Sequence, residues 1–489
     1  MIRSTGFSAT EAPDIHPQLA ALRLITAAAL CLLILGGCAA SPRTHSSTMS
    51  EYMLTELDFE RGINSLAEKI YDDTGVIEDG AATIHLLELG AIYGATGRHE
   101  ESNKALEEVF WRYVEKEDGP VISLRSTGQG ILAFTVATGT GGYLPTSFER
   151  IYLHAMKANN YLLLNDLEGA RVEVRRAYNL QRVLREDMDR RRDKAVDKDR
   201  EKRKNDRSYS STLNGLDTDS INRSLSPDPA LQKKLAGISS QYENPYTMVL
   251  ASLVYLISNE VDDARIEAMR AKKTVDSAQV ARVANVLERL SAGIKGEPLP
   301  NVFVFAEVNS APRKFSEDFR ILNFNTGAIL KISFPIYVPV ERSVDRVRLE
   351  GEDLDPITDI ELLAFKEYED ELPLVMIQTL TRAISHSLKD QYLEDQFGAL
   401  GALMGTVSNE LLEGADTRSW TMLPGQVLFG AVHTQSPDVT LEVVRAGAPY
   451  SQTLSIDPDR INIIHLVANA RLNETFQISF KPPKDAGLN

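Results

Sequence analysis

One spacing of small and aromatic residues occurs three times between residues 51 and 295, and it constrains the fold more than any other feature. Each occurrence has a small residue, a tyrosine three positions later, glycine or asparagine four positions after the tyrosine, and a second small residue five positions further on. The three sets are Gly90, Tyr93, Gly97 and Ser102; Ala158, Tyr161, Asn165 and Ala170; and Ser252, Tyr255, Asn259 and Ala264. Small residues let two helices approach closely, and glycine or asparagine readily takes the left-handed conformation that ends a helix. The spacing therefore predicts three helical hairpins.

This spacing resembles the tetratricopeptide repeat, a helix–turn–helix unit of about 34 residues. The first two sets start 68 residues apart and the third starts 94 residues after the second, so the array is interrupted. Repeats of this kind bury their apolar faces by stacking and usually bind partners on a concave face. The resemblance implies an all-α solenoid over residues 51–296. Ordinary amphipathic helices that share the spacing by chance are the alternative.

Two insertions interrupt the predicted array, at residues 118–147 and 185–230. The first is rich in glycine and threonine, and because no GK[ST] follows its TGTGG, a flexible loop is favoured over a phosphate-binding loop. Residues 185–207 contain eleven Lys or Arg and eight Asp or Glu, which indicates a solvated helix with many salt bridges. Residues 208–229, rich in serine, asparagine and aspartate, are predicted to be a mobile linker.

From residue 297 onwards the sequence changes to short β-branched and aromatic runs bounded by turn residues, a pattern typical of strands. The runs are NVFVFAEV, ILKISFPIYVPV, DRVRLEG, VLFGAVH and VTLEVVRAG. Residues 359–390 and 391–413 are predicted to be helical, and the apolar FGALGALMGTV to be a buried helix. We therefore expect a multidomain chain, in which the helical solenoid is followed at 297–489 by an α+β domain with a mostly antiparallel sheet.

The start of the chain carries an export pattern. Residues 24–35 form an uncharged apolar run, which has the length of a signal-peptide core and is too short to span a bilayer. Gly36 and Gly37 then precede Cys38, and this arrangement resembles the lipobox of bacterial lipoproteins. The resemblance implies cleavage between Gly37 and Cys38, loss of residues 1–37, lipid on Cys38 and a linker over 38–50. A plain signal peptide or an uncleaved anchor is the alternative.

The residues around the lipobox bear on the choice of membrane. Ala39 and Ala40 stand where many inner-membrane lipoproteins carry aspartate, so anchoring to the outer membrane, facing the periplasm, is expected. Two or more acyl chains would make that anchoring stable. Glu11 and Asp14, in the long segment before the apolar run, leave the translation start open.

Composition limits the chemistry of the mature chain. A formal net charge of −16 argues against nucleic acid as a partner, because binding to phosphates relies on excess Lys and Arg. Cys31 lies in the signal segment and Cys38 would carry lipid, so neither a disulfide nor a cysteine nucleophile is expected. Because the sequence has no HExxH, GxSxG or SxxK motif, we expect no metal site, no cofactor and no catalytic residues.

The most distinctive motif of the second half is ADTRSWTMLPG. In it, Asp416 lies two residues before Arg418 and close to Trp420, one of only two tryptophans in the chain. Together with Arg382 in the preceding helical segment, these are candidate interaction residues. The alternative is structural: Asp416 caps a turn, Arg418 pairs with a buried carboxylate and Trp420 fills the core.

Four stretches together resemble a family of uncharacterised proteobacterial outer-membrane lipoproteins. They are the lipobox, FERIYLHAMKANNYLLLNDLEGARVEVRRA, FAEVNSAPRKF and ADTRSWTMLPG, and the resemblance extends over nearly the whole chain after residue 38. It implies location and architecture without an established activity. Some relatives are encoded near lipoproteins that activate penicillin-binding peptidoglycan synthases, which implies a role in envelope assembly by association alone.

Three functions remain open from the sequence. The first is a membrane-anchored scaffold whose repeats bind an envelope protein. The second is an envelope glycan-processing hydrolase, which requires two carboxylates about 5–9.5 Å apart in a cleft. The third is a lipid- or polysaccharide-binding lipoprotein, in which Tyr71, Tyr93, Trp111 and Tyr113 would line an open groove. The oligomeric state also remains open.

Overall fold

The computed structural model describes residues 58–70, 82–118, 143–238, 240–322, 329–397 and 415–483. Gly37, Cys38 and the linker to residue 50 lie outside these ranges, as do most of the 118–147 insertion and most of FGALGALMGTV. The described residues all belong to one compact unit of the chain. They combine helices with mostly antiparallel sheets, so the predicted mixed α and β content is confirmed.

In the described chain, the regular secondary structure as far as residue 291 is helical. The helices are α1 (Phe59–Ile70), α2 (Ala82–Ala95), α3 (His99–Asp118), α4 (Ser147–Leu163), α5 (Leu167–Asn205), α6 (Arg207–Asn214), α7 (Thr218–Leu225), α8 (Pro229–Leu235), α9 (Pro245–Ile257), α10 (Val261–Thr274) and α11 (Ala278–Ser291). The pairs α2–α3, α4–α5 and α9–α10 contain the three spaced sets of small residues and tyrosine.

These three helix pairs turn in the same way. At the turns, Gly97, Asn165 and Asn259 have positive φ angles of 78°, 59° and 62°. The residue after each of them donates its backbone N–H to the carbonyl of the tyrosine in its set, at 2.8 Å in all three pairs. A left-handed residue with such a backward bond is the helix-ending turn that the spacing predicts.

The small residues of the sets lie where paired helices touch. A Cβ atom on Gly90 would lie 2.7 Å from a methyl carbon of Leu106, so α2 and α3 leave no room for a side chain there. Ser102 Oγ donates to the Gly90 carbonyl at 2.7 Å, and Ser252 Oγ donates to the Ala264 carbonyl at 2.8 Å. The same two positions of the set therefore join the helices in two different pairs.

Helix α5 continues far beyond its partner α4, through the charged part of the second insertion. Ion pairs one helical turn apart line this extension: Arg192–Asp189, Arg200–Asp197 and Arg203–Asp199. Most side chains between residues 185 and 205 are exposed. The extension is the solvated, salt-bridged helix that its composition indicates.

The prediction of a mobile linker over residues 208–229 is wrong. Helices α6 and α7 occupy most of it, and Tyr209, Leu213, Ile221 and Leu225 are buried in one apolar cluster. Asp206 caps α6 by accepting a hydrogen bond from the Tyr209 backbone at 2.9 Å. The polar residues that suggested a linker therefore include helix caps, while apolar residues at helical spacing provide the buried contacts.

The strands follow from residue 302 onwards. They are β1 (Val302–Val308), β2 (Arg313–Leu322), β3 (Ile329–Val338), β4 (Arg346–Leu349), β5 (Glu352–Asp353), β6 (Asp355–Asp359), β7 (Gln426–Val432), β8 (Asp438–Arg445), β9 (Ala448–Ser455), β10 (Ile461–Ala468) and β11 (Asn473–Phe480). The sheets have the orders β11-β10-β1-β7-β6, β5-β4-β8-β9 and β2-β3. The β1–β10 pair is parallel and the other described pairs are antiparallel.

A long helix, α12 (Ile360–Phe397), connects the strand-rich segments and carries Pro373 in its interior. The two helices predicted at 359–390 and 391–413 are therefore continuous as far as Phe397. Leu380 and Ile384 of α12 pack with β3 and with α6–α7 in one apolar cluster. None of the described helices combines the length and the apolar character needed to cross a bilayer.

The five-stranded sheet separates two apolar layers. Strand β1 is buried along its whole length: Phe303 and Phe305 face the helices, and Val302 and Val304 face the four-stranded sheet. A strand covered on both sides reads as a continuous apolar run, which explains the sequence NVFVFAEV. The predicted boundary near residue 297 marks a change from helix to strand, and the hydrophobic core continues across it.

Strands pack against the first helices of two of the pairs, α4 and α9. The first helices of the three pairs, α2, α4 and α9, are buried almost all round. Four aromatic rings contact one another in sequence, with centroids 5.3–5.9 Å apart. They are Tyr152 of α4, Tyr246 of α9, and Phe305 and Phe429 of the sheet. In the described residues these first helices are therefore covered by other parts of the chain, and they present no open face of the kind that the repeat resemblance implied.

Candidate functional site

The segment of residues 415–425 lies against the helices and is held by buried glutamates. Glu88, on α2, is fully buried. Its carboxylate accepts hydrogen bonds from the Thr421 backbone and hydroxyl at 2.8 Å each, and from the Met422 backbone at 3.0 Å. These bonds tie the first helix pair to a segment more than 300 residues later in the chain.

Glu149, in the first turn of α4, holds the same segment from a second helix. One carboxylate oxygen accepts a hydrogen bond from the Trp420 backbone at 2.9 Å. The other accepts from the Thr146 backbone at 2.8 Å and from the Tyr143 hydroxyl at 2.6 Å. Consecutive residues of ADTRSWTMLPG are thus bound by glutamates from two helix pairs.

The start of α4 is bound in turn by a carboxylate from α12. Glu367 accepts hydrogen bonds from the backbone of Ser147 at 2.8 Å and of Phe148 at 3.1 Å. These are the first amides of the helix, where the helix dipole favours negative charge. Burial nevertheless raises the pKa of Glu367 above its usual value. Three glutamates therefore connect the two helix pairs, α12 and the 415–425 segment.

The candidate interaction residues of ADTRSWTMLPG make internal contacts. Arg418 and Trp420 are 5% and 1% exposed. The Arg418 guanidinium binds the Asp416 carboxylate at 2.6 and 2.9 Å, and the Trp420 ring packs edge-on against Tyr152. Burial would raise the pKa of Asp416, but the hydrogen bonds and charge of Arg418 hold it below its usual value. This geometry corresponds to the structural alternative. The side chain of Arg382, on α12, lies outside the described part of the chain.

The other residues singled out by the sequence are placed as follows. Ala158 and Ala170 are fully buried in the α4–α5 pair, and Tyr93, Tyr161 and Tyr255 are partly buried at the edge of the core. Their positions explain the spaced sets as packing and turn residues. Gly37 and Cys38 lie outside the described ranges.

A buried ionic cluster joins α3, α4 and α5. It consists of Glu107, His154, Lys157, Glu173 and Arg176. Glu173 binds Lys157 Nζ at 2.8 Å, Arg176 Nη1 at 2.9 Å and His154 Nδ1 at 2.7 Å, and Lys157 also pairs with Glu107. Burial would raise the pKa of Glu173, but the hydrogen bonds and charges of His154 and Lys157 lower it to about 2. The cluster connects the first two helix pairs electrostatically.

A polar cavity of about 40 Å³ lies between α2, α4 and the ends of β1 and β10. Glu307, His465 and Asn159 are lining residues and are at least nine-tenths buried. The Glu307 carboxylate is 3.2 Å from His465 Nε2 and 3.5 Å from the Tyr246 hydroxyl. His465 Nδ1 and Asn159 Oδ1 have no hydrogen-bond partner among the described residues. The cavity therefore offers polar atoms that the described fold does not use.

Exposed apolar residues lie on the second helices of the three pairs. Trp111 on α3, Val172 and Tyr178 on α5, and Ile266 on α10 are 46–54% exposed, and we call them the outer-helix surface. Two contacts between long side chains link these helices. Arg176 lies over the ring of Phe110, which neighbours Trp111, and Arg270 lies over the ring of Tyr178 at 4.8 Å.

Two sequence hypotheses required specific geometry. The groove of aromatic residues is not formed as proposed, because Tyr113 is 2% exposed and its hydroxyl contacts His154 at 3.1 Å; Tyr71 lies outside the described residues. For the hydrolase, Glu307 is the only acidic residue among the described ones that line the cavity, so these residues do not supply a pair of carboxylates there. Among the described residues no three His, Cys, Asp or Glu side chains are grouped to hold a metal ion.

Sequence reasoning missed the buried glutamates and the cavity. Glu88 stands in the helix sequence ATIHLLELGAIYGA as the only acidic residue among apolar neighbours, and this isolation was the available signal. Glu307 similarly interrupts the apolar run VFVFAEV of β1. Charged residues are almost never fully buried without a partner, so an isolated charge in an apolar element predicts a buried partner.

The chain matches no family model, no curated protein and no solved structure.

Proposed function

We propose that this chain is a lipid-anchored protein of the bacterial envelope and acts there as a scaffold that binds another envelope protein. In this proposal, Cys38 carries the lipid and the mature chain faces the periplasm from the outer membrane. The three helix pairs form a tetratricopeptide-like array, followed by an α+β part. The likeness of LILGGC to a lipobox supports the anchor, and the three equal turns support the repeat assignment.

The observation that carries the scaffold proposal is the outer-helix surface. The first helices of the pairs, α2, α4 and α9, are buried almost all round, so within the pairs the second helices present residues to a partner. Exposed aromatic side chains with neighbouring arginines are the residue types that contribute most to protein interfaces. Trp111 lies on α3 and Tyr178 on α5. Arg176 of α5 lies over Phe110, which neighbours Trp111, and Arg270 of α10 lies over Tyr178. We therefore place the partner's contact on this surface.

Lipid attachment is tested by replacing Cys38. We expect Cys38→Ser to abolish incorporation of labelled palmitate and to prevent cleavage after Gly37, because the Cys38 sulfur is the atom to which the lipid is attached. Metabolic labelling followed by gel electrophoresis and membrane fractionation measures both effects. Cys31→Ser is the matched control, because Cys31 lies within the apolar run. The Cys31→Ser chain should incorporate labelled palmitate as the natural chain does. Labelling that persists in Cys38→Ser would contradict the lipid site.

Partner binding is tested in intact envelopes with a photo-crosslinking residue at Val172, in the middle of the outer-helix surface. Replacing Trp111 and Tyr178 together with alanine should reduce the yield of the crosslinked partner at least about tenfold, because each interfacial aromatic can contribute about 2 kcal/mol. Gel shifts and mass spectrometry of the crosslinked species give the yield and the partner.

The control for this experiment replaces Phe315 and Tyr450, which are 51% and 55% exposed on the strands. This variant removes two aromatic side chains of similar fractional exposure from another part of the molecule, and its crosslinking should equal that of the natural chain. Equal yields in both double variants, or crosslinking to no protein at all, would argue against a scaffold that uses this surface.

A further inference from the structure

The cavity between α2, α4 and the five-stranded sheet contains a carboxylate that has no Lys or Arg partner within the described residues. This carboxylate belongs to Glu307, and it faces His465 at 3.2 Å, the Tyr246 hydroxyl at the long distance of 3.5 Å and the Tyr152 hydroxyl. By comparison, Glu88 and Glu149 each accept three hydrogen bonds of 2.6–3.0 Å. Glu307 is thus a buried carboxylate whose described neighbours are two tyrosine hydroxyls and one imidazole, without a Lys or Arg.

A second acceptor in the same cavity has no donor among the described residues. Asn159 is 2% exposed, and its Oδ1 atom has no hydrogen-bond partner in the described part of the chain. The neighbouring amide of Asn160 is fully engaged, with its Nδ2 donating to Ser102 and Asn103 and its Oδ1 meeting His99. The cavity therefore presents one carboxylate and one amide carbonyl to whatever enters it.

The imidazole of His465 is held beside these acceptors. Its ring stacks on Phe476 with centroids 6.3 Å apart, and Phe476 in turn meets the edge of His99 at 5.0 Å. Phe476 therefore holds the His465 ring on the side that faces away from Glu307. Gly94, Ser310 and Asn469 are lining residues that are only partly buried, so the cavity reaches the protein surface on their side.

We propose that this cavity binds a primary ammonium group, with Glu307 as its counter-ion and Asn159 Oδ1 as a second acceptor. An ammonium group brings three donors and one positive charge. Glu307 has no Lys or Arg among its described partners, and Asn159 Oδ1 has no described donor. A volume of about 40 Å³ holds roughly three non-hydrogen atoms at about 10–15 Å³ for each water-sized group. The ammonium nitrogen and the first carbons of its stem fit this volume, and the rest of the ligand lies outside the opening.

The test titrates n-butylammonium into the full mature chain in detergent, with the histidine ring carbons labelled for NMR. The His465 signal, assigned from a His465→Gln variant, should shift in a saturable way. Glu307→Gln keeps the size of the side chain and removes its charge, and it should weaken binding about 10–100-fold, the range of a charge-assisted hydrogen bond. Binding to the Glu307→Gln variant is measured from the shift of the same His465 signal.

Matched variants and probes decide the outcome. Glu474→Gln removes a carboxylate from an exposed position on the neighbouring strand β11 and should leave the affinity unchanged. Asn159→Leu provides a second variant if Glu307→Gln fails to fold, and it should weaken binding several-fold. n-Butanol and acetate should produce no saturable shift. The proposal is overturned if they bind as well as the amine, if both cavity variants bind like the natural chain, or if n-butylammonium gives no shift up to about 100 mM.

Discussion

Replacing Glu173 with alanine is expected to lower the free energy of unfolding by about 3–5 kcal/mol at neutral pH, as is typical when one partner of a buried ion pair is removed. Glu173 is the carboxylate on which Lys157, Arg176 and His154 converge. Lys157 is fully buried, and without Glu173 it keeps only the more exposed Glu107. Urea unfolding followed by circular dichroism measures the change.

The matched control lies on the same helix. Glu168→Ala removes a glutamate whose side chain is 83% exposed and whose ion pair among the described residues is with Arg171, so stability should change by less than about 0.5 kcal/mol. If the two variants lose the same stability, the buried cluster does not have the role assigned to it.

The pH dependence of Glu173→Ala gives an independent check. The pKa of Glu173 is lowered from 4.5 to about 2 in the folded chain, so its contribution is present above pH 4.5 and is lost as the pH falls towards 2. The stability difference between the natural chain and the variant should therefore shrink over this interval. A difference that stays constant from pH 7 to the acid limit of folding would contradict the lowered pKa.

Replacing Glu88 with alanine is the second large effect that we expect. The carboxylate accepts hydrogen bonds from three donors, and its loss leaves buried groups of Thr421 and Met422 unpaired. Each unpaired buried donor costs about 1–3 kcal/mol, so a loss of about 3 kcal/mol is expected even after local relaxation. Urea unfolding gives the stability, and hydrogen exchange at the amides of residues 421 and 422 shows whether the segment is released.

The control for Glu88 is Glu101→Ala. Glu101 is on α3, its side chain is 42% exposed, and it bonds to Arg98. Its removal should leave both the stability and the exchange at Thr421 and Met422 nearly unchanged. Exchange rates at these amides that do not rise in Glu88→Ala would show that the glutamate does not hold the segment.

The hairpin turns are the part of the fold that the sequence predicts best. Gly97, Asn165 and Asn259 have local roles: each supplies a left-handed residue at the end of a helix, and this requirement depends on neighbours within a few positions. The small residues at helix contacts are predictable for the same reason. The strand runs β1, β3, β4, β7 and β8 also carry their own β-branched and aromatic signal.

The candidate site was much less predictable, because its contacts join residues that are far apart in the chain. Glu149 and Trp420 are separated by 271 residues, and nothing near either one indicates the other. Glutamate is common on helix surfaces, so Glu88 and Glu149 look ordinary without their partners. The interaction role suggested for Asp416 and Arg418 rested on unusual composition, which a buried ion pair also explains.

The glutamates that bind the 415–425 segment also have a consequence for the order of folding. Before residues 420–422 are available, Glu88 lacks its donors on Thr421 and Met422, and Glu149 keeps the local Thr146 amide but lacks that of Trp420. The apolar faces of α4 and α9 also lack the strands that pack on them. The helix pairs come first in the chain but need its last quarter to complete their interior. Contacts across such long separations slow folding. The protein therefore reaches its native state only after the C-terminal strands are available, and a chain truncated before them should remain incompletely folded.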